Sequence, residues 1–152
     1  MKKIPIVHKL PELEIAIKAA EKAEKVILEI YNTDFKTSQK KDNSPITDAD
    51  LQSNEAIKEI LSQTEHIILS EEDKDNQSRL SREKIWIVDP LDGTSDFIDK
   101  TGEFTVMIAL IKNKKPIIGV IGWPTKKTLF VAQKGEGAYK SIPSCHIFSP
   151  AL

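Results

Sequence analysis

Cysteine is almost absent from this chain, and neither sign of charge dominates it. Cys145 alone cannot close an intrachain disulfide, and nothing in the composition points to an oxidising compartment. Lysine and arginine number 22 against 23 aspartates and glutamates, a formal charge of -1. Without a basic excess to neutralise phosphates, binding to a nucleic-acid polymer is excluded as a main role. Long hydrophobic runs are also missing, and none approaches the ~18 apolar residues of a membrane span. After the basic Met1-Lys2-Lys3, the segment Ile4-Pro5-Ile6-Val7-His8-Lys9 is too short and too interrupted for an export signal. A cytoplasmic location is therefore expected. No internal repeat or low-complexity segment is visible.

What is present suits one soluble globular domain: 152 residues, 39% hydrophobic and 30% charged. Leu13, Ile17, Ala20, Ala23, Ile27 and Ile30 recur at helical intervals and predict an amphipathic helix over Pro11–Tyr31. Its Glu and Lys face reads as solvated. Residues 35–43 are polar and basic, and Pro45 favours an extended connection. Thr47 and Asp50 have the spacing of a capping pair, so a second helix should start near Asp48, with Leu51, Ile57, Ile60 and Leu61 turned inward. Residues 67–69 predict a short buried strand, and residues 74–84 an exposed loop. Residues 105–111, 116–123 and 128–132, joined by short connections, predict an antiparallel meander, with a further turn and strand near Ala138 and Tyr139. Residues 141–152 form an unpatterned tail, read as disordered or as replacing a lost half. Cys145-His146 within it lacks a second ligand pair and reads as incidental.

The chemistry concentrates in Trp86-Ile87-Val88-Asp89-Pro90-Leu91-Asp92-Gly93-Thr94. Residues 85–88 read as a buried strand, which Pro90, having no N–H to donate, should end. Asp89 and Asp92 then sit on a turn, with the Leu91 carbonyl between them. Gly93 permits close backbone approach, and Thr94 opens a helical turn whose free N–H groups suit an anion. A capped turn at a strand end would use the same residues. A second strand end, Ser70-Glu71-Glu72-Asp73, also finishes in carboxylates. If the two strands are neighbours, ~4.8 Å apart, their ends can share a cation. Glu71, Asp89 and Asp92 together would repel a phosphate unless cations intervened, and hard oxygen donors suit magnesium. Trp86 and Phe97, beside apolar runs, read as core.

This nonamer resembles the metal-binding signature of the inositol monophosphatase family. Ser70-Glu71-Glu72-Asp73, Gly102-Glu103-Phe104-Thr105-Val106 and Asp42-Asn43-Ser44-Pro45-Ile46-Thr47-Asp48-Ala49-Asp50 extend the match, most closely to its 3'(2'),5'-bisphosphate nucleotidase branch, which is linked to sulfate assimilation. The resemblance implies an α+β, sugar-phosphatase-like layered fold, with two helices packed on a mixed or antiparallel sheet over residues 1–140. It also implies a hydrolase that removes the 3'-phosphate of 3'-phosphoadenosine 5'-phosphate, a small phosphorylated metabolite, using two or more Mg2+ ions and an activated water. Glu71, Asp89, the Leu91 carbonyl and Asp92 match metal ligands. Gly93 and Thr94 match phosphate contacts; the resemblance further implies that Glu71, Leu91 and Asp92 bind substrate with them, and that Glu71 is catalytic together with Asp50 and Thr94. Asp50 and Thr94 match a pair that orients the attacking water, so for Asp50 a capping and a catalytic role compete. Glu72 matches an outer position, and Lys40 lies near a family lysine, where a solvated lysine serves equally.

The pattern departs from the family at Asp99, where a basic or small polar residue is usual, and in length. Family members continue into a second half whose Trp-Asp motif completes a metal site, and neither Trp86 nor Trp123 precedes an Asp. A fragment of an enzyme, a truncated remnant, or a non-enzymatic binding module would each fit. An inositol or sugar phosphate monophosphatase is the alternative enzyme. Self-association through uncovered apolar surface is a further expectation.

Overall fold

A computed structural model describes residues 4–75, 77–142 and 147–151. Helix α1, Pro11–Tyr31, begins on a proline whose fixed φ suits the first turn, with Glu12 and Glu14 complementing the N-terminal dipole. It buries Leu13, Ala16, Ala20, Ala23 and Ile27, all 0% exposed. The alanines let α1 approach α2, Asp48–Leu61, closely. Thr47 and Asp50 form the expected capping box at the start of α2.

The inward face of α2 differs from the expected stripe. Ile57 and Leu61 turn inward as expected, but Leu51 is 49% exposed, and Asp50, Ser53 and Asn54 join the inward face. These positions follow the 3.6-residue period from Asp50, and Leu51 lies about 100° off that line. The helix therefore buries polar side chains over the site and apolar ones further along.

One seven-stranded sheet backs both helices, in the order β3-β4-β5-β6-β7-β8-β9. β3 (Ile67–Ser70) runs parallel to β4 (Lys84–Asp92). The remaining strands, β5 (Thr105–Lys112), β6 (Lys115–Trp123), β7 (Thr128–Gln133), β8 (Gly137–Ile142) and β9 (Ile147–Pro150), form the antiparallel meander. Short helix α3, Thr94–Ile98, follows β4. The α+β layered architecture matches expectation, and Trp86 and Phe97 are fully buried as core.

Four local features depart from the sequence reading. β3 is an edge strand and only half buried. β4 is buried on one face alone: Trp86 and Val88 face the helices, while Ile87 is 43% exposed on the other face. β4 also does not end at Pro90, because a bulge between Asp89 and Asp92 absorbs the missing donor before Asp92 pairs with Thr105. Finally, the tail contributes β9, anchored by Phe148 at 4% exposure. Four residues are too few for a pattern to show. Cys145 and His146 lie outside the described residues.

Residues 37–47, expected to be extended, form a small hairpin, β1 (Thr37–Gln39) with β2 (Pro45–Thr47), separate from the main sheet. Asn43 turns it in the left-handed region, at φ 66°.

Candidate metal centre

Parallel pairing brings the two acidic strand ends together. Ser70 is in register with Val88, so the next residues, Glu71 and Asp89, leave neighbouring strands at the same edge. The Glu71 N–H donates to the Val88 carbonyl at 3.0 Å and extends the ladder to this point. The Glu71 and Asp89 carboxyls thereby come close enough to act on each other's charge. Burial of Asp89, the approach of the Glu71 carboxyl and the negative charges of Glu71 and Asp92 push the Asp89 carboxyl up to about 7. A cation at this edge would relieve the crowding of negative charge around Asp89.

The bulge positions the rest of the acidic edge. The Leu91 N–H donates to Asp89 Oδ1 at 3.2 Å, which orients the carboxylate, and Asp92 is exposed at the same rim. Gly93 caps α3 at φ 92°, and a Cβ there would stand 2.9 Å from the Glu103 carbonyl. Only glycine fits there.

Asp50, fully buried on α2, serves two partners with two oxygens. Its Oδ2 accepts from the Thr47 N–H at 2.7 Å and from the Thr47 hydroxyl at 2.6 Å. Its Oδ1 accepts from the Thr94 hydroxyl at 2.8 Å. The capping and site geometries coexist, so they do not compete. With its proton given to Asp50, the Thr94 oxygen is left with lone pairs facing the site.

The hairpin supplies the cation present. Lys40 Nζ lies 2.8 Å from Glu72 Oε1 and 3.3 Å from Glu71 Oε1. Burial works against the Lys40 charge, yet Glu72 and Glu71 together hold its ammonium above the usual range. Glu72 is the more enclosed carboxylate, 4% exposed against 56% for Glu71. Burial pushes the Glu72 carboxyl up despite Lys40. Lys40 is thus a partner of the acidic turn and not a solvated side chain.

Among the described residues no three His, Cys, Asp or Glu side chains converge to hold an ion as they stand. Asp92 reaches Asp89 through its charge, and Glu71 is drawn toward Lys40. The donor set nevertheless fits a hard divalent cation: two carboxylates at neighbouring strand ends, a third at the rim and a backbone carbonyl on the bulge between them. The sequence singles out Asp50, Glu71, Asp89, Leu91, Asp92, Gly93 and Thr94, and the fold gathers all seven at one edge. It does not disclose the enclosure of Glu72 or the polar face of α2 at Ser53 and Asn54. Their spacing of three and four residues from Asp50 is the available signal.

The model of the Inositol monophosphatase family matches residues 9–146. The 3'(2'),5'-bisphosphate nucleotidase CysQ of Aggregatibacter actinomycetemcomitans is 36% identical over 139 residues, 89% of this chain and 52% of the relative. The Nus factor SuhB of Pasteurella multocida is 39% identical over 132 residues, 84% of this chain and 49% of the relative. The crystal structure of CysQ from Bacteroides thetaiotaomicron, a bacterial member of the inositol monophosphatase family, matches with a TM-score of 0.76 and 48% identity, covering 88% of this chain and 49% of that one. The chain spans about half the length of the relatives it matches.

Proposed function

The chain belongs to the inositol monophosphatase family, and from that premise we propose that its site serves magnesium-dependent hydrolysis of a phosphate monoester. The substrate of this reading is the 3'-phosphate of 3'-phosphoadenosine 5'-phosphate, released to leave AMP. The meeting of Glu71 and Asp89 at the ends of neighbouring strands carries the reading, since carboxylates crowded at one sheet edge form a place for a divalent cation. The nucleotide is favoured over an inositol or sugar phosphate by Asp42-Asn43-Ser44-Pro45 and Gly102-Glu103-Phe104, and by the CysQ relatives. A cytoplasmic setting belongs to the same reading. Among the described residues no helix is long and apolar enough to cross a membrane.

Glu71, Asp89, the Leu91 carbonyl and Asp92 are the residues that would hold magnesium, in two or more ions. When bound, the metal supplies positive charge to the phosphoryl oxygens and acidifies a water. Gly93 and the N–H groups that open α3 receive the phosphate oxygens. Asp50 holds the Thr94 hydroxyl as a donor, and the Thr94 oxygen then accepts from the attacking water and orients it. The water's proton passes toward Glu71, the most exposed carboxylate of the paired set. No covalent intermediate on the chain is required.

Magnesium-dependent phosphate release from 3'-phosphoadenosine 5'-phosphate and from inositol 1-phosphate, measured side by side with lithium as inhibitor, tests this assignment. Lithium-sensitive turnover of the nucleotide is expected. Asp89→Asn should abolish that turnover and leave the circular dichroism spectrum unchanged, because the carboxylate supplies charge and not packing. Full activity in that variant removes Asp89 from the site.

A further inference from the structure

We propose that Asn54 is a positioning residue for the acidic turn: from the face of α2 it clamps Ser70 and Asp73, and so holds Glu71 toward Asp89. The inference rests on the proposed metal site and assigns a role to a side chain that is not itself a ligand.

Asn54 is 3% exposed, and both ends of its amide are used. Its Oδ1 accepts from the Ser70 hydroxyl at 2.7 Å, and its Nδ2 donates to Asp73 Oδ1 at 3.1 Å. Ser70 and Asp73 bracket Glu71 and Glu72, so one amide spans the turn that carries both carboxylates. Two backbone bonds tighten the bracket: the Glu72 N–H reaches the Ser70 hydroxyl at 3.3 Å, and the Asp73 N–H reaches the Ser70 carbonyl at 3.2 Å. Lys58, one turn further along α2, holds the other Asp73 oxygen at 3.0 Å.

The same helix face touches the other two parts of the site. Asp50 holds Thr94, and the Ser53 hydroxyl lies 3.2 Å from the Pro90 carbonyl at the bulge. Asp50, Ser53 and Asn54 stand at i, i+3 and i+4, so a single rigid face sets the spacing of three chain segments. The buried polar stripe of α2 thereby acquires a reason. A purely structural helix would put apolar residues there, and an amide aimed at the turn gives orientation that packing cannot.

Two measurements on the full 152-residue chain test the clamp. In the metal-free protein, amide hydrogen exchange at Glu71 and Glu72 should quicken at least tenfold in Asn54→Ala, while exchange in the middle of β5 and β6 is unchanged. In calorimetric titration with magnesium chloride, Asn54→Ala should weaken binding about 10- to 100-fold, the range for lost outer contacts of a metal site. Ser70→Ala, which leaves the helix untouched, should weaken it in the same direction, and the double variant should be no weaker than Asn54→Ala alone. Unchanged exchange at Glu71 and magnesium affinity within twofold of the parent would overturn the clamp. Uniformly faster exchange across the sheet would also overturn it, because it would make Asn54 a general stabiliser. If the parent binds no magnesium, the metal-site reading fails, and the exchange result alone then decides whether Asn54 orders the turn.

Discussion

Asp50 shows how one buried side chain can answer two demands. A carboxylate has two oxygens and about four acceptor directions, and here one oxygen closes the capping box while the other faces Thr94. The variants separate the functions. Thr94→Val keeps the volume and the cap but removes the hydroxyl, so turnover should fall about 10²- to 10⁴-fold, the size of a lost proton-handling group, with the melting temperature almost unchanged. Thr94→Ser should recover most of the loss. Asp50→Ala removes both bonds, and should add a stability loss of about 1 kcal/mol for the cap to the same fall in turnover. A Thr94→Val enzyme that works within threefold of the parent would leave the water without its proposed orienter.

At the scale of elements, α1 is tied to the sheet by a charged cluster that periodicity does not reveal. Glu12 Oε1 accepts from Lys84 Nζ at 2.6 Å and lies 3.2 Å from His66 Nε2, joining the first turn of α1 to β4 and to the entry of β3. Burial would raise the Glu12 carboxyl, but the bonds to Lys84 and His66 prevail and hold it at about 2. The folded value lies below the ordinary 4.5, so the contribution is complete above pH 4.5, declines as pH falls from 4.5 towards 2, and is gone below that. Glu12→Gln should therefore cost about 1–2 kcal/mol at pH 7, after allowance for solvent screening, and progressively less by pH 2.5. Urea unfolding of parent and variant across that range measures the difference. An offset independent of pH would assign it to packing.

How much of each element is legible in the sequence depends on how far its pattern runs. α1 and the strands β5 and β6 carry their periods over eight or more residues, enough to be read locally. The hairpin of β1 and β2 has three residues per strand and β9 has four, so neither repeats long enough to declare itself. The bulge at Pro90 escapes a local reading because proline excludes a hydrogen bond without excluding a strand that skips one. The site residues are legible through a motif that keeps them close in the chain. Ser53 and Asn54 are not, because their partners lie on distant segments that only the folded helix brings near.

For the whole molecule, the distribution of apolar surface matters most. The helices cover one face of the sheet, and Val106, Ile108, Leu110, Val120 and Val131 are all 1% exposed or less beneath them. Alternation along the strands sends Ile87, Met107, Ala109 and Ile121 to the opposite face, where they line a groove of about 610 Å³ that runs up to Glu71 and Asp89. Ile87 and Ile121 remain 43% and 40% exposed, on strands separated only by β5. Each still has apolar area to remove from water, and a second copy of the same face offers a matching surface in an isologous pair. The isolated 152-residue chain should accordingly self-associate with rising concentration in sedimentation velocity. Ile87→Lys with Ile121→Lys should shift it to monomer, because two ammonium groups cannot be buried unpaired. Since neither side chain contacts the α2 face, the hydrogen exchange of that helix should be the same in the parent and the double variant. A parent that remains monomeric at high concentration would show that this face does not pair with itself.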